Sequence, residues 1–256
     1  MAYGPPTDVN SVGAIRYVMD QVYGYPVTVI HTSNFPRVDL SKYNVLILPD
    51  SSRWQGGYEA VLGERGGTAI RDWVRGGGTL IAIGGATAWL TGEKVGLLKS
   101  SLEKKEKPEE SESAEEEAEA EQADVPPALA ELIEPEEASP DVITGAMVRV
   151  RLDPTHWLAF GYDEDTTALV ASNRVFTPVK LDQGYNVGVY FPSDQLLVSG
   201  FAWEDAVQQL GNKAFLMYSG EGRGRVVAFA EDPLFRAYTH GLELLFLNGV
   251  LLGPGR

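Results

Sequence analysis

The chain has 256 residues, of which 44% are hydrophobic, so it can bury a substantial core. It contains no cysteine, which excludes disulfides, thiolate metal sites and a cysteine nucleophile. Its formal net charge is -15, but the segment from Glu103 to Asp141 holds 16 of the 36 acidic and three of the 21 basic residues. The remaining 20 acids and 18 bases nearly cancel, so no basic surface for nucleic acid is expected. The longest apolar runs are too short to span a membrane.

The first third of the chain alternates helical and strand patterns. Val12, Ile15, Met19 and Val22 repeat at helical spacing, whereas the later strand candidates are continuous apolar runs. Such runs suit a sheet that is covered on both faces, and their alternation with helices predicts a parallel arrangement. The predicted elements in order are a helix over 12–22, strands at 26–30 and 44–49, a helix over 68–75 and a strand at 79–85, which ends in glycines.

The segment 99–141 interrupts this pattern. It is rich in Glu and Lys, has several prolines and lacks the apolar area that would offset its ordering entropy. We therefore predict a solvated acidic insertion, with a local helix within 109–123 as one option. An acidic docking arm or a divalent-cation sponge is the alternative interpretation.

The rest of the chain, 142–256, is rich in short strand patterns. The sequence SGEGRG (219–224) separates two of them and indicates a hairpin. A largely apolar helix over 238–252 is expected to pack on the sheet and to end at Gly253-Pro254. The predicted strands are 147–152, 156–162, 187–191, 196–201, 214–218 and 225–230.

Several segments carry a resemblance to known families. DLSKYNVLILPD (39–50) and RDWVRGGGTLIAIGG (71–85) resemble the class I glutamine amidotransferase-like fold. YGYPVTVIHT (23–32), HWLAFGY (156–162) and GRGRVVAFAEDPLFRAYTHGLELLFLNGVLLG (222–253) resemble the domain that follows the catalytic domain in bacterial M14-type zinc carboxypeptidases. The resemblance implies an α/β, three-layer flavodoxin-like fold with a mainly parallel sheet, a β-rich C-terminal half and an acidic insertion.

The resemblance also implies an organisation and partners. Residues 1–98 and 142–256 would form two parts of one amidotransferase-like domain, separated by the insertion at 99–141. An upstream carboxypeptidase domain would be the partner and would hold the only zinc, so no cofactor is expected in this chain. The first strand should precede the first helix, where only Met1–Gly4 are available, so the chain is expected to be excised from a longer polypeptide.

In active members of this fold a nucleophilic cysteine occupies a sharp turn between a central strand and a helix, beside backbone N–H donors. The matching turn is AIGGAT (82–87), where the nucleophile position falls on Gly84 or Gly85. Thr87 is the nearest hydroxyl, and a capping or packing role is favoured for it because no G-x-S-x-G motif surrounds it. The backbone N–H groups from Gly84 to Thr87 remain a candidate anion pocket.

His240 and Glu243 spell H-x-x-E, a zinc-binding pair, but a catalytic zinc needs three protein ligands and no histidine follows. A polar i,i+3 pair or a helix cap is the favoured interpretation.

Two functional hypotheses remain. The first is a non-catalytic accessory module that aids substrate presentation, domain packing or homo-oligomerisation. The second is a thiol-independent hydrolase, or a small-ligand or sugar-binding domain, that uses His240, Arg236 and the Gly84-Gly85 turn.

Overall fold

The computed structural model describes residues 1–51, 56–103 and 140–255. Most of the predicted acidic insertion, 104–139, lies outside these residues. The strands are, in chain order, β1 (Ala2–Tyr3), β2 (Ile30–His31), β3 (Val45–Leu48), β4 (Thr79–Ile83), β5 (Ala146–Leu152), β6 (Asp165–Val170), β7 (Tyr185–Tyr190), β8 (Leu197–Gly200), β9 (Ala214–Glu221) and β10 (Gly224–Phe229).

Eight of these strands form one sheet in the described part of the chain, in the order β3-β4-β10-β9-β7-β5-β6, with β8 paired to β5. The pairings β3–β4 and β4–β10 are parallel, whereas the other five are antiparallel. The expectation of a mainly parallel sheet therefore needs correction, since the sheet is mixed. The reason lies after residue 142, where short connections such as the β9–β10 hairpin reverse the chain and give antiparallel neighbours.

The helices are α1 (Val9–Arg16), α2 (Gly57–Arg75), α3 (Gly85–Thr91), α4 (Ser193–Leu196), α5 (Glu204–Leu210) and α6 (Glu243–Leu252), and a π-helical stretch, Tyr17–Val22, continues α1. Two buried cores lie on opposite faces of the sheet. Ile81 and Ile83 of β4 belong to the core that holds α1 and α6 residues, and Leu80 and Ala82 to the core that holds α2 and α3 residues. This alternation, with period two, produces the three layers.

Two strand predictions are wrong. Of the predicted buried strand 26–30, the structure buries only Ile30, which starts β2 and pairs with β1. The segment 156–162 contains a 3-10 turn, Trp157–Ala159, instead of a strand. Its carbonyls are satisfied by Asn248 of α6, whose Nδ2 donates to the oxygens of Leu158 and Phe160 at 2.9 and 2.8 Å. A ladder partner is therefore not needed there.

Other predictions agree with the structure. The hairpin at 219–224 joins β9 to β10. A short strand, β1, does lie ahead of α1, where the resemblance implies a first strand, but it pairs with β2 in a separate two-stranded sheet and is not part of the eight-stranded sheet. The predicted helix over 68–75 is the last part of the longer α2, and the predicted final helix is regular only from Glu243. None of the described helices is both long and apolar enough to cross a membrane.

Candidate functional site

A cavity with many polar groups opens beyond the carboxyl ends of β3 and β10, the two strands that pair in parallel with β4, and beside the segment that follows β6. Its volume is about 280 Å³. This edge of an α/β sheet is where ligands usually bind, because loops from several strands meet there. The cavity is lined by Asp8, Asn10, Ser11, Asp50, Ser51, Ala171, Arg174, Glu231, Asp232, Phe235 and Arg236.

The turn between β4 and α3 lies beside this cavity and has an unusual backbone. Gly84 has φ 54° and ψ -110°, a conformation that a residue with a side chain rarely adopts. An ideal Cβ built on Gly84 would lie 2.5 Å from Oδ1 of Asp50, and one on Gly85 would overlap the Ser51 hydroxyl. The position that the sequence matched to a nucleophile thus has a sharp turn but no room for a side chain.

The Asp50 carboxylate fills the space beside this turn. Its Oδ1 accepts hydrogen bonds from the backbone N–H groups of Ser51 and Gly85, at 2.7 and 2.6 Å. Its Oδ2 accepts one from Nη2 of Arg174 at 2.8 Å. Only 19% of the Asp50 side chain and 14% of the Arg174 side chain are exposed, so the ion pair is poorly screened by water. The Gly85 N–H group, part of the predicted anion pocket, therefore already binds an anion.

Two further carboxyl groups of the cavity are buried where β10 ends. The pKa of Glu231 is raised to about 7, mainly by burial; the negative charge of Asp50 contributes to this rise, while Arg174 and a hydrogen bond from Ser172 oppose it. Burial also raises the pKa of Asp232 to about 6, against the opposing hydrogen bonds from Ser11 and the Leu234 N–H group. Both acids therefore gain protons close to neutral pH more readily than exposed carboxyls do.

The structure brings some of the predicted site residues together. Gly84 and Gly85 contact Asp50, which lines the cavity, and Arg236 lines it too, with a positive φ of 51°. Thr87 is fully buried, and its hydroxyl donates to the carbonyl of Phe229 at 2.7 Å. In the described part of the chain, His240 is not among the residues that line the cavity.

His240 instead lies in a 3-10 turn, His240–Leu242, directly before α6. Its Nδ1 lies 2.7 Å from Oε1 of Glu243, and 76% of its side chain is exposed. The predicted i,i+3 pair is therefore present. Tyr23 donates its hydroxyl to the other oxygen of Glu243 at 3.2 Å. Among the described residues, no group of three or more His, Asp or Glu side chains is placed to hold a metal ion.

Sequence reasoning missed the charged centre of this site. Asp50 directly follows the apolar run 44–49, and Glu231 directly follows the run 225–230. A carboxylate at the end of a buried strand is a readable pattern, since it places the side chain at the ligand-binding edge of the sheet. Arg174 is different, because 124 residues separate it from Asp50 and no local motif marks it.

The sheet, its two helical layers and the strand-to-helix turn define a three-layer α/β protein. No protein-family model and no curated protein matches the chain. Solved structures match it over most of its length. A ThuA-like protein from Parabacteroides merdae gives a TM-score of 0.56 at 9% identity, covering 99% of this chain and 87% of its own. A GMP synthase subunit from Thermoplasma acidophilum gives a TM-score of 0.56 at 9% identity, and the match covers 97% of this chain and 90% of that one.

A third structure, PurLQS from Thermotoga maritima, gives a TM-score of 0.55 at 12% identity, and the match covers 97% of this chain and 95% of that one. Identities this low show a shared fold and nothing about activity. The chain therefore shares the three-layer α/β fold of these three proteins.

Proposed function

We propose that this chain is a non-catalytic amidotransferase-like domain that serves as an accessory module. One observation carries the proposal: the Asp50 carboxylate occupies both the space beside Gly84 and the N–H group of Gly85. An oxyanion intermediate would need that donor free, and a nucleophile would need that space. The sequence also contains no cysteine that another turn might present.

We further propose that the module accompanies an M14-type zinc carboxypeptidase domain, which would be its partner and would hold the zinc. The support is the likeness of segments 23–32, 156–162 and 222–253 to the domain that follows the catalytic domain in those enzymes. The test is the reading frame upstream of Met1. We expect it to encode H-x-x-E and a later histidine, and a natural start at Met1 would contradict this association.

Small-ligand binding is the second candidate function, and the cavity is the observation that favours it. Its 280 Å³ is enough for a small molecule, and charged groups of both signs line it. The hydrolase alternative has less support, because it needs His240 and Arg236 beside the Gly84-Gly85 turn. Arg236 lines the cavity, whereas His240 pairs with Glu243.

Turnover assays on the purified protein test the main proposal. We expect no release of ammonia from glutamine and no hydrolysis of p-nitrophenyl acetate above the rate in buffer alone. His240→Ala and Arg236→Ala are the matched variants, and they should behave as wild type does. Turnover that His240→Ala abolishes would show that the domain is an enzyme and would overturn the proposal.

A further inference from the structure

Three hydrogen-bond donors form a cradle around the carboxylate of Asp50. They are the N–H groups of Ser51 and Gly85, and Nη2 of Arg174. Hydrogen bonds of 2.6 to 2.8 Å to an ionised group are among the strong ones in proteins. Because α3 has only seven residues, the guanidinium of Arg174, and not a helix terminus, supplies the positive charge. The cradle thus provides a cation and two amides that bind one carboxylate.

The cradle faces the cavity and has donor capacity to spare. Asp50, Ser51 and Arg174 all line the cavity. Nε of Arg174 is buried and has no hydrogen-bond partner among the described residues. Arg236 lines the same cavity, is exposed and makes no ion pair within the described part of the chain. An anion that enters the cavity would therefore meet the Arg236 guanidinium, which stacks over the Phe235 ring, and the carboxyl groups of Asp8, Glu231 and Asp232 before it reaches Arg174. The unpaired Nε of Arg174 is a further donor only to a group that is bound within the cradle itself.

We propose that this cradle is a binding site for the carboxylate of a small ligand, and that the protein's own Asp50 occupies it in this structure. A ligand carboxylate would take the place of the Asp50 carboxylate on Arg174 and the two N–H groups. Because Asp50 is tethered, it competes at a high effective concentration, so free carboxylates bind weakly while it is present. The inference rests on the proposed function, since donors used in catalysis would not be held by a resident side chain.

Removal of the resident carboxylate tests the proposal. Asp50→Ala should bind formate and acetate at least about tenfold more tightly than wild type does, measured by calorimetry and by the rise in Tm relative to sodium chloride of equal ionic strength. Asp50→Ala combined with Arg174→Met should lose this response. Asp163→Ala, which removes an exposed carboxylate outside the cavity, should respond as wild type does.

A second variant, Asp50→Asn, tests the case in which a side chain still fills the cradle. Asp50→Asn keeps a side chain of the same size in place, so formate should not stabilise it beyond the effect of chloride. Equal responses of Asp50→Ala and wild type to formate would overturn the proposal, and so would a response that survives Arg174→Met. If Asp50→Ala is insoluble, refolding in formate should recover it more than refolding in chloride, and failure there also counts against the site. Turnover in the assays above would overturn the non-catalytic function, whereas these results decide only the carboxylate site.

Discussion

Glu231 is a buried carboxyl group whose protonation is coupled to folding. Its pKa is raised from 4.5 to about 7, mainly because burial disfavours the charged form. Between these two values the folded protein binds more protons at this group than the unfolded chain does. The contribution of Glu231 to stability therefore falls as the pH rises from 4.5 to about 7, the opposite of a carboxylate whose pKa an ion pair lowers.

Glu231→Gln removes this titration while it keeps an oxygen for the Ser172 hydroxyl. We expect the stability of the variant, relative to wild type, to improve by roughly 1 to 3 kcal/mol between about pH 5 and about pH 8. Urea unfolding at both pH values measures the difference. Asp232 titrates in both proteins, so its contribution to the difference in stability between them largely cancels. A stability difference between Glu231→Gln and wild type that is the same at both pH values would contradict the linkage.

The turn between β4 and α3 requires glycine for two independent reasons, its positive φ and the nearby Asp50 carboxylate. We expect Gly84→Ala to lower the free energy of unfolding by about 2 to 4 kcal/mol. Adding Asp50→Ala removes the clash. The loss in free energy of unfolding of the double variant should therefore be smaller, by about 1 kcal/mol or more, than the sum of the losses of the two single variants. Denaturant unfolding of the four proteins measures this coupling.

Gly13→Ala is the matched control for the turn. Gly13 lies inside α1, and an added Cβ there meets nothing within 4 Å. Because alanine restricts the unfolded chain more than glycine, this variant should gain about 0.5 to 1 kcal/mol. Strictly additive losses for Gly84→Ala and Asp50→Ala would show that the two groups do not compete for the same space.

Elements with a clear pattern could be predicted from the sequence, whereas those that depend on distant partners could not. In β5, residues 146–152, the inward positions are buried and the outward arginines are exposed, and this alternation is readable directly. The segment 156–162 is equally apolar and aromatic, yet α6 satisfies its backbone through Asn248. The turn at Gly84 was visible as glycines after a buried strand. Its occupant Asp50 and the ion pair with Arg174 depend on tertiary structure.

At the scale of the whole molecule, β10 joins the two parts of the chain. It pairs in parallel with β4 over five residues and antiparallel with β9, so it lies between the strands of the N-terminal part and those of the C-terminal part. All five residues of β4 are buried in the complete sheet. Without β10, the edge of β4 and its apolar side chains would be left without a partner strand.

Residues 1–98 alone are therefore expected not to fold, although they contain four strands and three helices of the described structure. Their amide NMR spectrum should be poorly dispersed, and their denaturant unfolding should lack a cooperative transition. Coexpression of residues 1–103 with residues 140–256 should recover a soluble complex, because β10 then supplies the missing neighbour of β4. A dispersed spectrum and a cooperative transition for residues 1–98 alone would instead show an independent domain, with the β4–β10 pairing as a contact between two units.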